Sequence, residues 1–200
     1  MKATATFLKS AAAPEHFPPA TLPEIAFLGR SNVGKSSLIN ALLGTKIAHV
    51  SSTPGRTQTI NFIDVESGNG PTLIKLRIAD LPGYGYAKVS RSLSSEWPKF
   101  IEPYLAERGP LRLCVSLVDS NIPAQESDAR LIDWLKHQER AFLVVATKSD
   151  RLSGNKLANS ILGLERDLGV PHILPVSAQG QAKQRSGIDE LWREIRSVCA

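Results

Sequence analysis

The stretch Gly29-Arg30-Ser31-Asn32-Val33-Gly34-Lys35-Ser36 constrains this chain more than any other, because it reads G-x-x-x-x-G-K-S. Before it stands the short apolar run Ile25-Ala26-Phe27-Leu28, and from Lys35 onward the residues follow a helical pattern. A strand, a glycine-rich turn and a helix in that order make a phosphate cradle. The glycines let the backbone turn tightly so that its N–H groups converge, and the helix N-terminus adds partial positive charge. Lys35 supplies a full charge toward the β and γ phosphates, and the Ser36 hydroxyl is suited to ligate Mg2+. Gly29 to Ser36 are therefore expected to hold the phosphates of a nucleotide. The motif alone does not choose between ATP and GTP.

The rest of the chain alternates in the same way. Apolar runs at 24–28, 60–65, 73–79, 111–118, 142–146 and 172–176 read as strands, and the patterns at 35–43, 92–107, 125–137, 155–168 and 188–198 read as helices. Trp134 and Trp192 fall on apolar helix faces and read as core residues. Such alternation predicts a mostly parallel sheet with helices on both faces. Residues 60–80 break it: two runs joined by Ser67-Gly68-Asn69-Gly70-Pro71 predict one antiparallel edge strand on an otherwise parallel, six-stranded sheet. Residues 1–22, rich in Ala, Pro and Thr, read as a mobile or loosely packed arm, and residues 23–200 as a single α/β domain.

Composition narrows the setting. Two cysteines imply no disulfide framework; Cys114 lies in an apolar run and Cys199 at a chain end that ordinarily frays. No apolar run reaches the ~20 residues needed to span a bilayer. The N-terminal apolar stretch is too short for a secretory leader and is interrupted by Lys9, so a cytoplasmic monomer is expected, without membrane insertion. The net charge of +5 suits an RNA-facing surface and equally a solvated surface with a slight excess of cations, since no Lys/Arg block occurs. The four histidines are scattered, with no metal-ligand spacing.

Of the further motifs, the first chooses the base and the others complete the nucleotide site. Thr147-Lys148-Ser149-Asp150 follows the apolar run at 142–146. An aspartate here can accept hydrogen bonds from guanine N1–H and its 2-amino group, whereas adenine N1 would face the carboxylate with a lone pair. The Lys148 stem can lie over the base. Asp80-Leu81-Pro82-Gly83 supplies a carboxylate able to hold Mg2+ through water and a Gly83 N–H able to sense the γ-phosphate. Val176-Ser177-Ala178 ends the sixth run, where a backbone N–H can reach guanine O6. Between the first motif and Asp80 lies Thr53-Pro54-Gly55-Arg56-Thr57-Gln58-Thr59; a threonine here can ligate Mg2+ only while the γ-phosphate is present, and Thr57 and Thr59 both qualify. Nucleotide contacts are expected from Gly55, Arg56, Thr57, Gln58 and Thr59.

With these elements in order, the chain resembles the P-loop GTPases of the translation-factor class. Gly29 to Ser37, Pro54-Gly55-Arg56-Thr57-Gln58-Thr59-Ile60-Asn61-Phe62 and Asp80-Leu81-Pro82-Gly83-Tyr84-Gly85-Tyr86-Ala87 resemble, more narrowly, the bacterial EngB (YihA/YsxC) family. The resemblance covers about residues 20–198. It implies a single P-loop GTPase domain and Thr57 as the switch threonine on Mg2+. It also implies a role in assembly of the large ribosomal subunit, with cell division and septation dependent on it. Some related GTPases use an asparagine at the position of Asn32 to hold K+ against the phosphates; hydrogen bonding within the loop is the other reading. The catalytic set implied is Lys35, Thr57, Gly83 and Asn32. The long N-terminal arm and the polar stretch Gln179-Gly180-Gln181-Ala182-Lys183-Gln184-Arg185 depart from a minimal family member.

Tyr84 stands after Gly83, where signalling GTPases place a water-orienting glutamine. Slow intrinsic hydrolysis, accelerated by a large partner such as the large ribosomal subunit or its rRNA, is therefore expected. Tyr84 and Tyr86 read either as partner-facing rings, stacking on bases, or as rings packed on their own domain. A GTP-occupancy signal in cell division with no RNA partner is the alternative function. A P-loop metabolic kinase has no use for Thr147-Lys148-Ser149-Asp150 and needs a second substrate site.

Overall fold

Every residue of Glu24–Gly29 is buried, as befits a strand paired on both edges and covered on both faces. This strand, β2, lies mid-sheet in a computed structural model that describes residues 3–48, 59–84, 99–179 and 186–199. The other strands are β1 (Ala3–Ala11), β3 (Ile60–Ser67), β4 (Ile74–Asp80), β5 (Leu111–Asp119), β6 (Phe142–Thr147) and β7 (Ile173–Pro175). The helices are α1 (Lys35–Leu43), α2 (Ile101–Glu107), α3 (Glu126–His137), α4 (Gly154–Leu168) and α5 (Ile188–Cys199). The sheet order is β1-β3-β4-β2-β5-β6-β7. β4, β2, β5, β6 and β7 run parallel, and β3 runs opposite to both of its neighbours.

Alternating side chains divide the core between the two faces. Leu38, Ile39 and Leu42 of α1 and Leu191, Trp192 and Ile195 of α5 cover one face. Leu105 of α2, Leu131, Ile132 and Leu135 of α3 and Leu164 and Leu168 of α4 cover the other. Trp192 is fully buried and donates its indole N–H to the Leu42 carbonyl at 3.0 Å; Trp134 packs partly buried on the opposite core. Cys114 is buried, and Cys199 closes α5 half-buried instead of fraying. No helix among the described residues is long and apolar enough to cross a membrane.

Two expectations are corrected here. Residues 3–11 are not a loose arm: they form β1, paired with β3 from Ala3↔Ser67 to Ala11↔Ile60. The sheet thus has seven strands, and the antiparallel strand β3 is interior, with β1 at the edge. The physical reason lies in the sequence of β1, ATATFLKSA, whose small and polar residues stay largely exposed and show no apolar alternation, so that the strand is ordered mainly by pairing with a partner about fifty positions away. Helix α2 spans Ile101–Glu107, after a turn at Lys99 and Phe100, while the rest of the expected helix at 92–107 falls at 92–98, outside the described residues.

A buried charge cluster fixes the segment between β1 and β2. Glu24, 0% exposed, accepts from Arg108 Nη2 at 2.6 Å, Arg108 Nε at 3.0 Å and Tyr104 Oη at 2.8 Å. Arg77 pairs with Asp64 through Nε at 2.6 Å and donates to the Pro19 carbonyl at 2.9 Å, and Arg108 Nη2 donates to the Pro18 carbonyl at 2.7 Å. Phe17 packs edge-on against Phe62 and Tyr104.

These cores carry a pH signature. Burial pushes the Cys114 thiol up to about 12. Burial likewise raises the Tyr84 and Tyr104 phenols well above 10, with Asp128 and Glu24 respectively adding to the effect. A raised native pKa leaves stability intact below the unfolded value and erodes it above, where only the unfolded chain releases the proton. Stability is therefore expected to hold up to about pH 9. It should then fall by about 1.4 kcal/mol per pH unit for Cys114, with a like decrement for each tyrosine above about pH 10. Urea melts between pH 8 and 11 measure this; Cys114→Ala should make the fall above about pH 9 shallower, leaving the part due to Cys199, whose thiol burial also raises. An unchanged slope in that variant would contradict the assignment.

Candidate nucleotide-binding site

Parallel strands deliver their following loops to one edge, so β2, β4, β5, β6 and β7 bring their carboxyl ends together. Gly29 ends β2 and opens the loop through Gly34. Asn32 (φ 65°) and Gly34 (φ 105°) take left-handed conformations. Alternation of this kind turns successive N–H groups toward one side, which suits an anion. Gly34 supplies a backbone that side-chain-bearing residues rarely adopt. Val33 is buried in the α1 core and its carbonyl accepts the Thr147 hydroxyl at 2.6 Å. Lys35 and Ser36 open α1, both part-buried, and Lys35 Nζ is paired with the Asp80 carboxylate.

Asp80 ends β4 and is buried. After it, Leu81 donates its N–H to the Phe27 carbonyl at 3.2 Å, and Tyr84 is stitched to the first loop. Ser31 N–H donates to the Tyr84 carbonyl at 3.0 Å, Tyr84 N–H donates to the Gly29 carbonyl at 3.3 Å, and Arg30 bridges to Tyr84 as in a parallel strand pair. At Gly83, beyond Pro82, a Cβ would stand 3.0 Å from Ser31 Oγ and 3.1 Å from Ser31 Cα and N, so only glycine fits this approach comfortably.

Tyr84 is the ring packed on its own domain. It is 1% exposed, and its hydroxyl donates to Asp128 Oδ1 at 3.0 Å, at the first turn of α3. This corrects the partner-facing reading for Tyr84: a ring this size buries more favourably than it remains in a loop once Asp128 satisfies its hydroxyl. Tyr86 lies outside the described residues. So do Gly55, Arg56, Thr57 and Gln58; Thr59, half-buried, immediately precedes β3.

On the other side, Thr147 ends β6 buried and Lys148 follows in a left-handed conformation (φ 59°). Lys148 Nζ donates to the Asn32 carbonyl at 2.9 Å and to Asp119 Oδ2 at 2.7 Å. Ser149 is buried, and its N–H lies 3.4 Å from the Val176 carbonyl. Asp150 is exposed, and one carboxylate oxygen accepts the Ser177 hydroxyl at 2.7 Å. The Val176 N–H goes to the Ala146 carbonyl and the Ser177 N–H to the Ser186 carbonyl; Ala178 follows, half-buried. The structure thus brings the loops at 29–36, 80–83, 147–150 and 176–178 to one edge of the sheet.

Asp119 is the site residue that the sequence reading passed over. The expected strand stopped at residue 118, one short of the position where a parallel strand presents its carboxyl end. Burial alone would raise the Asp119 carboxyl, yet hydrogen bonds from Lys148 and Asn121 outweigh it and hold it below the usual range.

A family model described as "50S ribosome-binding GTPase" matches residues 24–148, more than half of the chain. Together with the loop geometry, this defines a P-loop GTPase, an enzyme that hydrolyses GTP. A relative from Acidobacterium capsulatum, named probable GTP-binding protein EngB, is 59% identical over 97% of this chain and 90% of its own. One of the same name from Koribacter versatilis is 54% identical over 98% of this chain and 94% of its own. A crystal structure of a probable GTP-binding protein EngB superposes with a TM-score of 0.61 at 23% identity, over 88% of this chain and 98% of that one, which bears on the fold. The chain belongs to the EngB family of GTP-binding proteins.

Proposed function

We propose that this GTPase is a Mg2+-dependent switch that acts in assembly of the large ribosomal subunit, with cell division and septation dependent on it, in the cytoplasm and as a monomer. In this reading Gly29 to Lys35 cradle the phosphates, Lys35 balances their charge, and Thr147, Lys148 and Asp150 take the guanine base. Ser149 supports that loop, and of the three residues after β7, Ala178 has the backbone N–H left for guanine O6. Gly83 offers its N–H to the γ-phosphate. Mg2+ fits the donors present: Ser36 and Asp80 offer hard oxygens, and this ion takes few protein carboxylates when phosphates complete its shell. It would neutralise charge developing between the β and γ phosphates. Thr57, with Gly55, Arg56, Gln58 and Thr59 around it, would answer to the γ-phosphate.

The observation that carries the partner is the burial of Tyr84, 1% exposed and bonded to Asp128. The position that orients water in signalling GTPases is withdrawn into the core, so the missing catalytic group comes from elsewhere. The family description names the large subunit, and a sequence pI near 9.4 suits rRNA. Sedimentation with purified 50S subunits in the presence of a non-hydrolysable GTP analogue is the test. Retention with the analogue and release with GDP are expected. Equal behaviour with both nucleotides would leave a GTP-occupancy signal without a ribosomal partner as the better account.

A K+ ion held by Asn32 is a second source of positive charge, in the loop where that charge is needed. Hydrolysis is expected to run faster in KCl than in NaCl at equal ionic strength, and Asn32→Ala should abolish the difference. Equal rates in both salts, with and without subunits, would leave the partner as the source.

A further inference from the structure

Three non-glycine residues among those described have left-handed backbones: Asn32, Glu139 and Lys148. Two of them belong to the nucleotide loops, and they are bonded to each other, Lys148 Nζ to the Asn32 carbonyl at 2.9 Å. The same ammonium donates to Asp119 Oδ2 at 2.7 Å. Asp119 Oδ1 accepts both the Asn121 N–H and the Asn121 side-chain amide at 2.9 Å. That amide also lies 3.3 Å from the Lys148 carbonyl. Lys148 is therefore gripped at its ammonium by Asp119 and at its backbone by Asn121. A parallel arrangement stands on the far side of β2, where Asp80 at the end of β4 pairs with Lys35. Each lysine of the site has its own aspartate, at the ends of adjacent strands in the sequence order β4 and β5.

We infer that Asp119 is a positioning residue for guanine-nucleotide binding, fixing Lys148 so that its stem lies across the base side of the site while its ammonium closes onto the phosphate loop at Asn32. The inference rests on the reading of 147–150 as the base loop. A lysine stem is long and loses rotamer freedom when it is ordered. Ordering it before the ligand arrives removes that cost from binding. The Asp119 carboxylate also gives the ammonium a partner of its own, so the base loop and the phosphate loop keep separate lysines. Lys148 contacts the nucleotide equally in the ground and transition states, so loss of its alignment should raise KM and leave the chemical rate alone.

The test is a double-mutant cycle of Asp119→Asn and Lys148→Met, in the full chain, read as GDP affinity, KM for GTP and single-turnover hydrolysis at saturating GTP. Asp119→Asn is expected to weaken GDP binding and raise KM roughly tenfold, the scale of one charge-assisted hydrogen bond. The single-turnover rate should stay within about twofold, and in the Lys148→Met background Asp119→Asn should add less than about twofold. Additive losses, a lowered single-turnover rate, or wild-type affinity in Asp119→Asn beside a weakened Lys148→Met would overturn the inference while leaving the base loop in place. Unchanged GDP affinity in Lys148→Met would remove the base-loop reading, and the inference with it. Should Asp119→Asn lose its cooperative melt, Asp119→Glu, which keeps the charge and moves it by one methylene, is measured in the same cycle and should show a smaller loss of the same kind; a loss that is additive with Lys148→Met would again overturn the inference.

Discussion

Asp150→Asn is expected to weaken GTP and GDP binding at least tenfold and to create measurable binding of xanthine nucleotides. The carboxylate stands at the rim of the site with one oxygen accepting the Ser177 hydroxyl at 2.7 Å. Ser177 is 2% exposed, so the bond that aims Asp150 is anchored at its buried end. In the proposed reading guanine would bring two donors to this place, N1–H and the 2-amino group, and a carboxylate accepts both. Asparagine can still accept from Ser177 but turns an amide N–H toward one guanine donor, leaving both unsatisfied. An unmet polar group of this kind costs about 1–3 kcal/mol, or roughly five- to more than a hundredfold in affinity. Xanthine carries an oxygen in place of the 2-amino group and complements the new donor. Titration of wild type and variant with GDP and XDP checks both halves, and a variant that binds GDP as well as wild type would remove the guanine assignment.

The second large effect lies at the opposite end of β2. Glu24→Ala is expected to destabilise the fold by about 3–5 kcal/mol, because it leaves the largely buried Arg108 without its carboxylate and the 4%-exposed Arg77 with Asp64 alone. Glu24→Gln keeps the shape and should lose a similar amount, since what matters is the uncompensated buried cation. Joint replacement of Glu24 by leucine and Arg108 by methionine should recover much of the loss. Urea denaturation measures all three. The GDP affinity of folded Glu24→Gln should match wild type, because Glu24 and Gly29 stand at opposite ends of the strand. A loss below about 1 kcal/mol in both single variants would show that water reaches the cluster.

The chemistry of the site was legible because it is local. Gly29 to Ser36 specify strand, turn and helix within one short stretch, since a phosphate loop needs glycine backbone freedom and a helix N-terminus in succession. Asp150 could be read for the same reason: it closes a short polar motif that follows an apolar strand. The central strands and five helices were likewise carried by apolar runs and by a helical period that each segment displays alone.

What the sequence could not display was pairing at a distance. The strand β1 is Ala- and Thr-rich and acquires its order from β3, about fifty residues on, with a register shift between Phe7 and Lys9. Tyr84 could not be assigned to the core or to a partner until the fold set Asp128 3.0 Å from its hydroxyl. Asp119 belongs to no motif; it enters the site because parallel pairing of β5 with β6 sets it opposite Thr147, next to Lys148. Sequence by itself determined that this chain is a guanine-nucleotide GTPase and which short motifs are suited to the nucleotide, because backbone freedom and hydrogen-bonding type are properties of residues. Only the tertiary structure decided which carboxylates hold the lysines and which ring is withdrawn, because desolvation and charge pairing depend on neighbours that the chain order keeps apart.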